Sequence, residues 1–118
     1  MVLVVDDEAI TRDVVGAMLE RDDLDVHTAN DGETALALAA DVHPHVVLLD
    51  VMMPGMDGFE VCRALTARHP APRVVMLTAR ADEASRAEAL AAGAAGYLVK
   101  PFSARDLFAV VEEPVRGT

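Results

Sequence analysis

The 118 residues are 53% hydrophobic and 25% charged, a globular mixture that rules out disorder and suffices for one core, not two. A formal charge of −10 excludes a chain that grips a phosphate backbone by itself, and 3% aromatic residues leave little for base stacking or a flavin sandwich. No apolar run nears the ~20 residues a membrane helix requires, and the first apolar stretch ends at Asp6 and Asp7, too short and too acidic for a signal peptide.

In chain order, Val2 to Val5 is a short, β-branched run of the kind buried on both faces of a parallel sheet. Ile10, Val14, Met18 and Leu19 then share one face of a first helix. Residues 24–29 alternate apolar and polar, as an edge strand does. Asp31 caps a second helix running through Ala40, and His43-Pro44 stops it. His43-Pro44-His45 reads as a loop, not a metal pair, because no third ligand stands at a suitable spacing. A second buried run covers residues 46–49. Asp57 with Glu60 three residues on forms a capping-box pattern opening a third helix, with Phe59, Cys62 and Leu65 inward. Cys62 is thus a packed thiol; as the lone cysteine it closes no internal disulfide, which fits a reducing, cytoplasmic setting. A third run at 74–77 precedes a helix over residues 82–92 that stops at Gly93. The last run, 97–99, leads to a fifth helix capped by Ser103, with Leu107, Val110 and Val111 inward and Pro114 at its end.

Strand and helix alternate five times without a linker, which predicts one α/β domain over residues 1–118: a flavodoxin-like, doubly wound, five-stranded parallel sheet in the order 2-1-3-4-5 with five helices. Any output domain would lie beyond residue 118. In such folds ligands bind outside the carboxyl ends of the strands. Asp6 and Asp7 follow the first run, Asp50 the second, Thr78 the third and Lys100 the fourth. Rim polar residues are ordinary singly, but every buried run ends in one. Three carboxylates packed together repel unless a cation neutralises them, and hard oxygen ligands in a partly open cluster suit Mg²⁺. Asp50 is then a candidate nucleophile for an aspartyl-phosphate, with the Thr78 hydroxyl and the Lys100 ammonium to neutralise the transferred group. Lys100 is the only lysine among ten basic residues, so a compact ammonium stands where an arginine fork would otherwise be expected.

Val4-Val5-Asp6-Asp7-Glu8, Leu49 through Gly58, Leu77-Thr78-Ala79 and Gly93 through Phe102, in this order and at these separations, resemble the receiver domain of two-component response regulators over essentially the whole chain. The resemblance implies Mg²⁺ held directly by Asp7, with Asp6 acting mainly through water, together with Asp50 and the backbone carbonyl of Met52. It implies phosphorylation of Asp50, phosphoryl sensing by Thr78 and Lys100, an aromatic switch at Tyr97 and a cis bond between Lys100 and Pro101. It also implies a sensor histidine kinase or phosphotransfer protein as donor, and a response surface on the fourth helix, fifth strand and fifth helix, through which a second copy could bind. There Ala91, Ala95, Gly96 and Phe108 make a low-relief apolar patch. Met52 and Arg80 flank the water path to the acyl phosphate and bear on its lifetime. The stretch from Gly93 to Phe102 is nearer to single-domain, chemotaxis-type receivers than to those joined to winged-helix DNA-binding domains, although receivers linked to enzymatic output modules share it. Neither nucleic acid nor membrane binding is expected of the domain.

Two rival readings share parts of this pattern. A haloacid-dehalogenase-type phosphatase also uses a strand-end Asp with Thr and Lys, but needs an acidic residue where Met52 stands and a cap that 118 residues cannot hold. A flavodoxin-like cofactor carrier needs a phosphate cradle after the first strand, where Asp6-Asp7-Glu8 would repel one.

Overall fold

The computed structural model describes residues 1–21, 24–51, 57–68, 71–78, 82–100 and 102–111. Its strands are β1 (Val2–Val5), β2 (Val26–Ala29), β3 (Val46–Asp50), β4 (Arg73–Thr78) and β5 (Gly96–Val99). Between and after them lie α1 (Ala9–Glu20), α2 (Gly32–Val42), α3 (Gly58–Thr66), α4 (Glu83–Ala91) and α5 (Ala104–Val111). All strand pairs are parallel, and the order is β2-β1-β3-β4-β5, as the sequence predicts.

Strand side chains alternate between two cores. Leu3, Val5, Val47, Leu49, Val74 and Met76 pack with Ala35 and Ala39 of α2, Val61, Cys62 and Leu65 of α3, and Ala89 of α4. On the other face Val2, Val4, Leu48, Val75 and Leu77 meet Val15 and Leu19 of α1 and Leu107 and Val111 of α5. Each fully buried Val or Leu contributes about 1.5–3 kcal/mol, so both faces of β1, β3 and β4 hold the sheet in place. Cys62 belongs to this packing. Burial pushes its thiol up to about 11, against a smaller opposing pull from Arg63, and its Sγ donates to the Ala92 carbonyl at 3.4 Å.

Helix ends follow local chemistry. Asp31 accepts from the Thr34 N–H, Asp82 from the Ser85 N–H and Asp57 from the Phe59 N–H, each satisfying an orphan donor. At α5 the box is reciprocal: the Asp106 N–H donates to Ser103 Oγ and the Ser103 N–H to Asp106 Oδ2. α2 ends at His43, in the left-handed region at φ 49°, so this histidine serves the loop. The far end of α5 is fastened by Arg73, whose Nη2 donates to the Val110 and Val111 carbonyls.

α1 departs from the sequence reading. Ile10 and Val14 are 78% and 47% exposed, while Val15 and Leu19 are buried. The rows Ile10–Val14–Met18 and Val15–Leu19 are adjacent, apolar and equally helical in spacing. The sheet takes the second, which joins the core with Val2, Val4 and Leu48.

Candidate phosphoryl-acceptor site

The register brings the strand ends level. Val5 lies opposite Leu49, Asp50 opposite Leu77, and Thr78 opposite Val99. Asp6 therefore emerges beside Asp50, and Lys100 just past Thr78. Backbone bonds extend the sheet one step beyond the strands: the Val51 N–H donates to the Leu77 carbonyl at 3.0 Å and the Lys100 N–H to the Thr78 carbonyl at 2.7 Å. The backbone ladder thus reaches the rim before any side chain acts.

Asp6, Asp50 and Thr78 are the buried polar residues at this rim, Asp6 with 0% exposure. A wholly buried carboxylate is tolerated only if paired and hydrogen-bonded, and Asp6 is both. Its Oδ1 accepts the Glu8 N–H at 2.9 Å, and its Oδ2 accepts the Lys100 ammonium at 2.9 Å. The same ammonium lies 3.7 Å from Asp50 Oδ1. For Lys100, burial pulls the pKa down, but the hydrogen bond it donates to Asp6 and the charges of Asp50, Asp6 and Glu8 outweigh it and hold the group above its ordinary value.

Asp6, Asp7 and Asp50 each offer a carboxylate oxygen within 4.8 Å of the others, and this is the one such acidic or His/Cys cluster among the described residues. Three carboxylates against one ammonium leave surplus negative charge, and Asp7 is exposed, so the cluster opens to water on one side. All-oxygen donors with an open side fit Mg²⁺, which retains waters. Both Asp6 oxygens are already engaged, whereas Asp7 makes no hydrogen bond or ion pair with a described residue. Asp7, with Asp50 beside it, is thus the carboxylate that a cation could meet most directly. Thr78 is buried beside this group on β4. Tyr97 on β5 is half-buried against the core, with the Arg86 guanidinium of α4 5.4 Å from its ring centroid. Met52, with its expected metal-binding carbonyl, Arg80, and Pro101, with its expected cis bond, lie outside the described residues.

Three contributors escaped the sequence reading. Arg12 Nη1 donates to the Asp6 carbonyl at 2.7 Å, and Arg86 covers Tyr97; both are side-chain reaches that spacing does not reveal. Gly58, within a motif already noted, opens α3 directly on the acceptor strand. A Cβ there would lie 2.6 Å from the Asp50 carbonyl oxygen and 2.8 Å from Val51 Cα. These are backbone atoms tied into the sheet and cannot give way. Gly58→Ala is expected to lose about 1–3 kcal/mol, the usual cost of overpacking; an unchanged denaturation midpoint would show that α3 can shift freely.

Comparison with known proteins agrees with this geometry. The family described as "Response regulator receiver domain" matches residues 2–112. The chain is 41% identical over 115 residues to the transcriptional regulatory protein ResD of Bacillus subtilis, covering 98% of this chain and 48% of ResD. It thus spans about half the length of that relative. Among solved structures, chemotaxis protein CheY4 of Vibrio cholerae superposes with a TM-score of 0.89 at 35% identity, covering 97% of both chains. The receiver domain of NtrX from Brucella abortus gives 0.90 at 32% identity over 100% of both. Relatives thus include a chemotaxis protein as well as a longer transcriptional regulator. With fold, rim chemistry and relatives in agreement, the chain belongs to the response regulator receiver family, the switch domains of two-component signalling.

Proposed function

We propose that this domain takes a phosphoryl group from the phosphohistidine of a sensor kinase or phosphotransfer protein onto an Asp50 carboxylate oxygen. The observation that carries this reading is the Lys100 ammonium spanning Asp6 and Asp50, which leaves a buried carboxylate faced by a fixed positive charge at an open acidic cluster. The Asp50 oxygen attacks phosphorus, the phosphorus–nitrogen bond of the donor breaks, and its imidazole leaves to be protonated. Bound Mg²⁺, held by Asp7 and Asp50, with Asp6 acting through water and the Met52 carbonyl as the family's further ligand, would neutralise the phosphoryl oxygens. Lys100 and Thr78 bind two of those oxygens, positioning the group rather than reacting with it. Attack of water on the same acyl phosphate resets the domain, so its chemistry is confined to its own phosphorylation and dephosphorylation.

The response begins at Thr78. Its hydroxyl is drawn towards the new anion, and Tyr97, half-buried on the adjacent strand, turns inward behind it. The surface that changes is α4, β5 and α5, where Leu90, Ala91 and Ala95 are exposed and Phe108 is half-buried. An output partner or a second copy reads that surface. The net charge of −10 argues against nucleic acid as a direct partner. No described helix is long and apolar enough to cross a membrane, and the free Cys62 thiol suits the reducing cytoplasm.

Beryllofluoride with Mg²⁺, which mimics an acyl phosphate, tests the switch. The Tyr97 ring and the amides of α4 are expected to shift in NMR spectra as the site fills. Site occupancy with unmoved Tyr97 signals would refute the coupling.

A further inference from the structure

Asp6 is held at every polar atom. Its N–H donates to the Ala29 carbonyl at 3.1 Å, its two carboxylate oxygens are taken by Glu8 and Lys100, and its carbonyl accepts Arg12 Nη1 at 2.7 Å. The first three contacts fix Asp6 itself. The fourth fixes something else: the planar peptide joining Asp6 to Asp7, whose orientation is set by that carbonyl. Asp7 is exposed, and no described side chain pairs with its carboxylate, so its backbone decides where that carboxylate stands. Arg12 sits one turn into α1, its own N–H bonded to the Glu8 carbonyl at 3.2 Å. Its guanidinium reaches back from a rigid helix to the loop that carries the acidic pair.

We infer that Arg12 is a positioning residue for the divalent cation: by gripping the Asp6 carbonyl it locks the Asp6–Asp7 peptide plane and keeps the Asp7 carboxylate aimed at Asp50. This rests on the cation-site reading above. Charge and positioning make opposite demands of Arg12. As a charge, a guanidinium near the cluster repels a cation, so its removal should tighten binding. As a clamp, its removal should weaken binding, because the partners that orient a metal's ligands are typically worth 10–100-fold in affinity.

The probe is Mn²⁺ alone, which accepts the same oxygen ligands as Mg²⁺ and whose free-ion EPR signal disappears on binding. Arg12→Gln is expected to bind about tenfold more weakly while its metal-free thermal midpoint stays near that of the parent. Arg12→Lys, which retains one donor on a flexible stem, should recover most of the affinity. Equal or tighter binding by Arg12→Gln overturns the inference. In the unmodified protein, a slowly exchanging Arg12 guanidinium signal is expected by NMR with and without the cation; its absence overturns the inference even if the glutamine variant does not fold. Asp7→Asn separates the two levels. If the parent binds no Mn²⁺, or Asp7→Asn binds as well as the parent, the cation site itself is wrong and the role of Arg12 falls with it. If Asp7→Asn fails to bind but Arg12→Gln binds normally, only the positioning role fails.

Discussion

Asp50→Asn, incubated with Mg²⁺ and acetyl phosphate, is expected to gain no phosphoryl group, while the parent protein gains one that mild base removes. The substitution keeps the shape of the side chain, but its amide nitrogen is a poor nucleophile and its oxygen carries no full charge. Nothing else at the rim replaces Asp50. Asp6 is buried with both oxygens engaged, and Asp7 is the exposed member of the cluster. The fold should survive, since removing one of three crowded carboxylates relieves repulsion and weakens the longer of the two contacts made by Lys100, at 3.7 Å. Intact mass is therefore a clean readout. Labelling of Asp50→Asn at the rate of the parent would move the acceptor elsewhere.

The second large effect is expected at Lys100. Lys100→Met leaves Asp6 with 0% exposure and a carboxylate oxygen without its ammonium. Breaking such a buried pair costs about 3–5 kcal/mol, and the lower end applies because the Lys100 side chain is 22% exposed. A loss of about 3 kcal/mol lowers the thermal midpoint by roughly 10 °C in a domain of this size. The pH dependence has a definite sign. A lysine whose folded pKa lies above its ordinary 10.5 contributes its stability fully below that value and loses it as pH rises through the folded pKa. The deficit of Lys100→Met should accordingly be constant through neutral pH and shrink in strong alkali. Lys100→Arg keeps the charge and much of the stability, yet should blunt the response to phosphorylation, since a planar fork does not replace a point charge that contacts Asp6 and Asp50 oxygens together. Parent-like stability of Lys100→Met at neutral pH would mean that Asp6 finds another partner.

Most of the architecture was legible because the apolar runs are short, β-branched and uninterrupted; Leu3, Val4, Val47 and Leu48 are buried to the last atom, as both faces of a parallel sheet demand. The rim was legible for a related reason: each run ends in a polar residue, and parallel strands must end on one side. What periodicity could not decide was which of two adjacent apolar rows α1 would bury, since Ile10–Val14 and Val15–Leu19 obey the same spacing. Nor could it show contacts that are made to backbone. Arg12 on the Asp6 carbonyl, Gly58 against Asp50 and Arg73 on the last turn of α5 depend on where the chain returns in space, which no pattern in one stretch of sequence encodes.

The placement of Tyr97 has an optical consequence. The chain contains one tyrosine and no tryptophan, so near-ultraviolet absorbance and intrinsic emission from this domain arise overwhelmingly from a single ring. That ring stands on β5 between the core and the Arg86 guanidinium, at the joint where the switch is proposed to turn. Its emission needs no dye and no engineered reporter to follow the domain, and with a phosphodonor that contains neither tyrosine nor tryptophan any change in it has one address.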